Sequence, residues 1–175
     1  MDLVLGDMTR LSEFDGAAMD CVTCTMSLHH LPDQAALAAA MREVRRVLKP
    51  GGGLYLVDFG RLRRASTQRF FAQAQRASPS EQFTQDYLHS LRAAFSVEEL
   101  SAATAVFGPG LMRHQTALAP FMVVFKSVAR RELDAATELL AREMFGRLTA
   151  EQQSDFHDLA RWFGAAGFGL PCAFS

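Results

Sequence analysis

The sequence of 175 residues lacks the features that mark membrane, secreted and disulfide-rich proteins. No apolar run approaches the roughly 20 residues with which a helix crosses a bilayer. The opening residues, MDLVLGD, have neither the basic start nor the apolar middle of a secretory signal. Three cysteines are a small and odd number for a disulfide framework. These absences predict a cytoplasmic protein that has no membrane span.

A strong charge of either sign is also lacking. The formal net charge is −1, from 18 basic and 19 acidic side chains, so no overall field attracts nucleic acid or an anionic membrane. Arginines nevertheless cluster in two places, over residues 42–46 and 61–64. We interpret both clusters as solvated helix ends and expect no nucleic-acid partner. A nucleic-acid-binding face is the alternative interpretation.

Two of the cysteines, Cys21 and Cys24, have the C-x-x-C spacing that in other contexts holds zinc or carries out redox chemistry. The surrounding residues, DCVTCTM, predict a strand, and strand residues three apart point to opposite faces. Two such thiols cannot bind one ion, and the sequence has no second pair of cysteines. We therefore expect two buried small side chains and no metal site.

Glycine-rich phosphate loops are missing as well. Gly51-Gly52-Gly53 precedes a predicted strand, whereas a phosphate loop joins a strand to a helix and carries Lys-Ser/Thr. A nicotinamide-dependent reductase would need such a fingerprint together with a Tyr-x-x-x-Lys pair. Neither Tyr55 nor Tyr87 has a lysine four residues later. The sequence therefore disfavours that class of enzyme.

The first 59 residues carry the pattern of an open α/β sheet. Short apolar or β-branched runs predict buried strands at residues 3–5, 19–26 and 53–59. A helix before the last strand begins after Asp33, a residue suited to capping, and has apolar side chains at helical spacing. Lys49-Pro50-Gly51-Gly52 is expected to end that helix. A strand, a helix and a strand in this order predict a parallel, right-handed unit.

The remainder of the chain predicts mostly helices. They are expected over residues 65–76, 81–95, 97–107, 132–147 and 149–163, with capping boxes at Ser96/Glu99 and Thr149/Gln152. Two strands, 111–116 and 121–127, are joined by four residues and should form an antiparallel hairpin. We therefore expect an α/β fold: a partial Rossmann-like open sheet, with parallel strands, a C-terminal antiparallel hairpin and flanking helices.

Polar residues follow each predicted strand, which is where ligands bind in open α/β sheets. They are Asp7, the turn from Thr25 to His30, and Asp58. An acidic residue there suits hydrogen bonding to an adenine amino group or to ribose hydroxyls, and a turn-forming aspartate is the alternative. His29 and His30 are candidate general bases, because imidazole titrates near neutral pH. Turn residues that only line a pocket are the alternative for both histidines.

The order of these motifs resembles that of the class I S-adenosylmethionine-dependent methyltransferases. The motifs are GDM, then DCVTCTMSLHHLPD, then REVRRVLKPGGGLYLVDF. Within that family, the small-molecule enzymes that include the quinone-biosynthesis C-methyltransferases are the most similar. The resemblance covers residues 3–59, and it implies S-adenosyl-L-methionine as the cofactor and a small molecule as the methyl acceptor.

The resemblance also implies roles for individual residues. Asp7 would accept a hydrogen bond from the adenine amino group, with the Met8 amide at the edge of the ring. Thr25 and Met26 would contact the methionyl part of the cofactor. The two histidines, His29 and His30, would lie beside the methyl-transfer pocket, and His30 would also contact the cofactor.

For the whole chain, the resemblance implies that residues 1–127 are the C-terminal portion of a methyltransferase domain. Residues 61–108 would be a helical lid within it, and residues 128–175 a helical extension. Phenylalanines in the lid hint at a hydrophobic acceptor, although core packing explains them equally well: Phe70, Phe71, Phe83 and Phe95.

The family's first strand, its glycine-rich loop and its ribose-binding acidic residue would all precede Leu3. We therefore expect a fragment of a longer methyltransferase, or a chain whose start lies upstream, or one that pairs with another chain. The competing hypothesis is a catalytically incompetent methyltransferase-like subunit that acts by association. It would form a homo-oligomer, or bind a partner chain that covers an exposed apolar sheet edge.

Overall fold

The computed structural model describes residues 3–73 and 80–169, which form a mixed sheet with helices on both faces. The strands are β1 (Met19–Thr25), β2 (Leu48–Phe59), β3 (Leu111–Gln115) and β4 (Met122–Ser127), in the sheet order β1-β2-β4-β3. β1 and β2 run parallel, whereas β4 is antiparallel to β2 and to β3. The predicted fold class, with parallel strands and a C-terminal antiparallel hairpin, is confirmed.

The helices are α1 (Gln34–Val47), α2 (Ala65–Gln73), α3 (Glu81–Ala93), α4 (Val97–Thr104), α5 (Ala135–Gly146) and α6 (Ala150–Gly164). Each predicted helix is present. The predicted end of the helix over 65–76 lies outside the described residues, and the other ends agree to within a few residues. Two 3₁₀ turns lie at Leu28–His30 and Ala105–Phe107. The predicted break at residues 78–80 falls largely outside the described residues, as does the end of the chain from residue 170. No helix in the described ranges is long and apolar enough to cross a bilayer.

The helix starts predicted from short polar side chains are confirmed. The carboxylate of Asp33 accepts a hydrogen bond from the backbone N–H of Ala36 at 2.8 Å, at the start of α1. Ser96 and Thr149 each form a complete capping box at the starts of α4 and α6. These caps satisfy backbone N–H groups that have no partner within their own helix.

One face of the sheet is covered by α1 and α4. The apolar side chains of α1 recur every three or four positions, so they form one strip that faces the sheet. The resulting cluster joins both helices to the two central strands, through Leu37, Met41, Val44, Leu54, Leu56, Leu100, Val123 and Phe125. This main core holds β2 against α1.

The opposite face of the sheet is covered by α6. Phe163 of α6 packs against Val57 of β2 and Val124 of β4. α5 in turn lies against α6, where the ring centroids of Phe145 and Phe156 are 5.2 Å apart. The two C-terminal helices are therefore attached to the sheet through α6.

The remaining helices, α2 and α3, stand over the carboxyl end of β2. The ring of Phe59, the last residue of β2, is buried in a cluster with Ala72 of α2 and Leu91 of α3. The backbone N–H of Arg61 also donates to the carbonyl of Phe95, just after α3, at 2.8 Å. These contacts place the predicted lid directly beside the end of the strand.

The strand predicted at Leu3-Val4-Leu5 is absent, so that prediction is wrong. These residues are irregular, and their exposed fractions are 88%, 53% and 97%. No strand lies beside them within the described part of the chain. A strand needs a neighbour to satisfy its backbone groups, and an apolar run alone does not supply one.

β1 is an edge strand of the described sheet, and one of its faces is open. Cys24 packs against the main core together with Val22, whereas Cys21 lies on the other face and is exposed. The two thiols do point to opposite faces, as predicted from their spacing. The prediction that both are buried is wrong for Cys21, because the described helices leave its face of β1 uncovered, and Cys24 is only partly buried.

The segment Lys49-Pro50-Gly51-Gly52 does not end the helix, which is a second correction. α1 ends at Val47, and β2 begins at the next residue. Gly51 has φ +68° at the point where the pairing of β2 with β1 shifts register. Its conformational freedom therefore serves an irregularity in the strand.

The carboxylate of Asp58, near the end of β2, holds the turn Leu28–His30, which we call the histidine turn. Asp58 is 3% exposed, and it accepts the backbone N–H groups of Leu28 at 2.6 Å, His29 at 3.3 Å and Phe59 at 2.7 Å. The ring Nδ1 of His29 lies 2.6 Å from it as well. A buried carboxylate is stable when it is satisfied in this way, so the turn and the strand end form one unit.

Asp58→Ala should destabilise the fold, because it leaves two amides of the histidine turn and the His29 ring without their acceptor. Removing one partner of a buried charged pair costs about 3 kcal/mol of unfolding free energy, which urea denaturation measures. Asp20→Ala is the matched control. Asp20 pairs with Lys49 at 2.8 Å in solvent, where ion pairs contribute little. Equal urea midpoints for the two variants would contradict the anchoring role of Asp58.

Gly60 lies where the chain leaves β2, against the β3–β4 hairpin. A Cβ atom there would collide with the carbonyl oxygen of Pro120 and lie 2.9 Å from Cγ2 of Val123. Gly60→Ala should therefore lower the unfolding free energy by about 2 kcal/mol, as overpacking does, in thermal or urea unfolding. Gly146→Ala is the control, since nothing lies within 4 Å of its Cβ position. Equal unfolding free energies for the two variants would contradict this expectation and show that the hairpin moves to accommodate the added methyl group.

Candidate functional site

Two parallel strands end side by side at the histidine turn. β1 ends at Thr25 and β2 at Phe59. In open α/β sheets, this carboxyl edge is where ligands bind. The segment that crosses it carries the predicted site residues Thr25, Met26, His29 and His30. The structure therefore brings these four residues to one place.

Met26, between β1 and the histidine turn, has an uncommon backbone conformation. Its φ is +52°, which is rare for a residue with a side chain and costs free energy. Its backbone N–H donates to the carbonyl of Val57 at 2.8 Å, and its side chain packs against Phe59 and Val57. The surrounding contacts hold the chain in this sharp turn. Such retained strain is typical of ligand-binding sites.

His29 is fixed by its hydrogen bond to Asp58. The two side chains are buried, and Nδ1 of His29 lies 2.6 Å from Oδ1 of Asp58. A carboxylate only accepts hydrogen bonds, so Nδ1 carries the proton and donates. The ring is thereby locked in orientation, and Nε2 is the nitrogen left to accept a proton when the ring is neutral.

His30 differs from its neighbour in being exposed. Its ring centroid lies 4.2 Å from that of His29, with the two planes tilted by 40°. The two histidines that look alike in the sequence therefore have different surroundings: His29 anchors the turn, and His30 faces outward from it. In the described residues, no group of three or more potential ligands is placed to hold a metal ion.

A row of aromatic rings runs from the histidine turn to α3. The ring centroids of His29 and Phe59 are 5.2 Å apart, those of Phe59 and Tyr87 are 5.4 Å apart, and those of Tyr87 and Phe83 are 6.4 Å apart. Burial raises the pKa of the Tyr87 phenol, so it stays protonated near neutral pH. Together with Met26, these rings give the strand end an apolar wall.

Sequence reasoning missed Tyr87 and the pairing of His29 with Asp58. The signal for Tyr87 was present, because Phe83, Tyr87 and Leu91 recur every four positions on one face of α3. The pairing had no such signal, since the two residues are 29 positions apart. Asp58 was instead expected to contact a ligand, whereas in the structure its carboxylate oxygens accept hydrogen bonds from the histidine turn.

The four phenylalanines that hinted at a hydrophobic acceptor lie in different environments. Phe95 belongs to the main core, so packing accounts for it. Phe71 belongs to the cluster of α2 and α3, and its ring centroid lies 4.4 Å from that of Phe121, with the two planes tilted by 31°. Phe83 is 48% exposed beside Tyr87. Phe70 is 65% exposed.

Asp7 and Met8 lie in a separate, tight turn. Oδ1 of Asp7 accepts the backbone N–H and the hydroxyl of Thr9, each at 2.8 Å, and the hydrogen bond from the Thr9 backbone lowers the pKa of the carboxyl. Met8 packs against the main core, which also contains Leu28 of the histidine turn. The two predicted halves of the site thus share one cluster. No hydrogen bond within the described ranges joins them directly.

Cys24, at the end of β1, is held as a thiol. Burial raises its pKa, and the negative charge of Asp58 raises it further. A protonated thiol is a poor nucleophile and a poor metal ligand. Cys21 and Cys24 also point to opposite faces of β1, and this geometry disfavours the redox and zinc interpretations of the C-x-x-C spacing.

The chain is similar in sequence to known methyltransferases. Residues 1–56 match the family described as "Methyltransferase domain". A protein of Encephalitozoon cuniculi (strain GB-M1), named as a candidate methyltransferase, is 40% identical over 86 residues. These residues are 49% of this chain and 37% of that protein. The chain therefore spans little more than a third of the length of this curated relative.

Solved structures also align with the chain. The PH0226 protein of Pyrococcus horikoshii OT3 is 16% identical with a TM-score of 0.45, over 71% of this chain and 58% of that chain. A SAM-dependent methyltransferase of Aquifex aeolicus is 12% identical with a TM-score of 0.43, over 72% and 53% of the two chains. The chain covers less than two thirds of either protein.

The matched region contains every predicted site residue, from Asp7 to His30, whereas Asp58 and the helices α2 and α3 follow it. It therefore includes both turns that the main core joins, the turn of Asp7 and the histidine turn. Over residues 1–56 the chain is similar to the methyltransferase-domain family, and its motifs resemble those of the class I S-adenosylmethionine-dependent methyltransferases.

Proposed function

We propose that the chain contributes to the transfer of a methyl group from S-adenosyl-L-methionine to a small, apolar acceptor. The observation that carries the proposal is the histidine turn, which Asp58 locks at the ends of two parallel strands beside a row of aromatic rings. The family match over residues 1–56 supports the class of reaction. Because the chain spans 37% of its curated relative, we propose this role for it as part of a longer enzyme.

The donors and acceptors of the two turns suit the two ends of the cofactor. Thr9 bonds to Oδ1 of Asp7, so Oδ2 is available to accept from the adenine amino group, with the Met8 amide next to it. Thr25, Met26 and His30 would hold the methionine end. S-adenosyl-L-methionine, when bound, supplies an electrophilic methyl group on a sulfonium centre.

The chain's own residues position and shield the acceptor. Displacement at a methyl group depends on alignment and on exclusion of water, and the rings of Phe59 and Tyr87 supply an apolar wall for both purposes. His30 is exposed next to the locked ring of His29. It is placed to accept a proton when the acceptor is a hydroxyl or an acidic carbon.

The helical segment 61–108 forms the acceptor side of this site in our proposal. Phe59, Ala72 and Leu91 bury the contact between β2, α2 and α3, and the rings of Tyr87 and Phe83 stack next to this contact. An acceptor with an aromatic or alkyl body matches this lining better than a strongly charged one. Residues 128–175 remain a helical extension in this scheme.

A second candidate function is association, for which the open edge of the sheet is the supporting observation. Cys21, Thr23 and Thr25 are exposed along β1, and the apolar residues Leu3 and Leu5 are nearly fully exposed. Unpaired strand edges invite pairing with another chain. A methyltransferase-like subunit would then act by covering this edge with a second copy or a partner.

Isothermal titration with S-adenosylhomocysteine tests the first proposal. The purified chain should bind it saturably, with micromolar affinity. Asp7→Ala should weaken binding about tenfold, because the adenine end loses one hydrogen bond. Asp15→Ala, at an exposed position of the same loop, should bind like the parent chain.

The state of association separates the two candidates in the same preparation. A chain that binds no cofactor and elutes as a dimer in size-exclusion chromatography with light scattering supports association. A folded monomer that binds no cofactor overturns both proposals for this chain. Equal binding by the Asp7→Ala and Asp15→Ala variants would remove Asp7 from the site.

His30→Ala should lower the rate of methyl transfer to phenolic acceptors about a hundredfold, as loss of a general base does. The measurement is transfer of labelled methyl from S-adenosylmethionine to a panel of alkyl-substituted phenols. His89→Ala, at an exposed position on α3, should keep the parental rate. An undiminished rate in the His30→Ala variant would leave His30 without a catalytic role.

A further inference from the structure

A cavity lies where the chain has left β2, next to the loop over residues 61–64. Its volume is about 520 Å³, which is within the range of small-molecule pockets. Its walls are the loop over residues 61–64, the start of α4, and the hairpin loop between β3 and β4. Part of this lining belongs to the segment 61–108, but none of the residues named above for binding the cofactor or the acceptor lines the cavity.

Four arginines line this cavity: Arg61, Arg63, Arg64 and Arg113. Arg61 is committed elsewhere, since it pairs with Glu99 at 3.1 Å and donates to the carbonyl of Ala94 at 2.7 Å. The side chain of Arg113 donates to a neutral group, the hydroxyl of Ser101, at 3.2 Å. Arg63 and Arg64 form no ion pair with any described residue. Within residues 3–73 and 80–169, the guanidinium groups of Arg63, Arg64 and Arg113 thus have no tightly bound carboxylate.

One acidic residue, Glu98, also lines the cavity. The pKa of its carboxyl is lowered, first by hydrogen bonds at the start of α4 and then by the charges of Arg63 and Arg113. Glu98 is exposed and makes no ion pair within 4 Å in the described part of the chain. The cavity therefore keeps an excess of positive charge.

The floor of the cavity is apolar. Leu62 and Val97 are 3% and 9% exposed, and Ala119 and Pro120 of the hairpin loop also line the cavity. Basic side chains at a rim above an apolar floor suit a ligand that has a charged head and an apolar body. A polynucleotide would instead favour an extended basic surface with exposed aromatic rings.

We propose that this cavity binds a small organic anion, a phosphate or carboxylate on a short apolar body. Arg63 and Arg113 hold the anionic head, with Arg64 beside them, and Leu62 and Val97 contact the apolar part. Arginine suits this role because its planar group donates two parallel hydrogen bonds to a phosphate or carboxylate. The inference is independent of the proposed methyl transfer.

Calorimetric titration of the full chain with hexyl phosphate at low ionic strength tests the proposal. Saturable binding is expected, and inorganic phosphate should bind more weakly because it has no apolar body. The double variant Arg63→Gln/Arg113→Gln should lose at least tenfold in affinity. Arg42→Gln, at an exposed position on α1, should bind like the parent chain.

Glu98→Gln gives a readout that a purely structural role would not produce. It removes the negative charge from the cavity, so hexyl phosphate should bind about threefold more tightly. Circular dichroism establishes that each variant is folded. Absence of saturable binding by the folded parent chain overturns the proposal, as does equal affinity in the double variant. Preferential binding of a short single-stranded RNA, lost in the same double variant, would replace the small anion with nucleic acid.

Discussion

A buried carboxylate, that of Asp58, determines where the histidine turn can lie. An ionised carboxyl inside a protein is costly unless hydrogen bonds satisfy it. Here two amides of the turn and the imidazole of His29 do so, together with the amide of Phe59. The turn follows β1, whereas Asp58 belongs to β2, so the same contacts fix the ends of two strands relative to each other. The stability of this edge and the position of His30 therefore have one origin.

Two constraints act on the turn from opposite ends, and their combination gives it a single shape. Met26 enters the turn with φ +52°, held by its bond to Val57, and His29 is locked by Asp58. Neither constraint alone would orient the exposed ring of His30. A side chain that is already held in position before the acceptor binds loses little conformational entropy in the reaction. This small entropic cost is the physical advantage of a site built on strand ends.

Sequence patterns correctly predicted the elements whose structure depends mainly on residues nearby in the chain. The caps at Asp33 and Ser96 and the apolar strip of α1 follow from local spacing. The strand predicted at Leu3-Val4-Leu5 is absent because a strand also needs a partner strand. The predicted burial of Cys21 was wrong because burial depends on which elements cover that face of β1. The prediction that Asp58 contacts a ligand missed its structural role for a related reason. A sequence does not distinguish a carboxylate that binds a ligand from one that anchors a turn.

The two arginine clusters also show that a sequence does not reveal which groups surround a side chain, and here the difference bears on function. Arg46, in the first cluster, donates to the carboxylate of Glu43 and to the carbonyls of Leu11 and Phe14, so its charge is used to hold the loop before β1. The second cluster precedes α2 and faces a cavity in which Arg63 and Arg64 have no such partners among the described residues. Both were interpreted as solvated helix ends, and both do lie there: Arg45 and Arg46 are exposed in the last turn of α1, and Arg63 and Arg64 are exposed just before α2. What distinguishes a structural arginine from a binding one is the set of acceptors around it, which only the fold supplies.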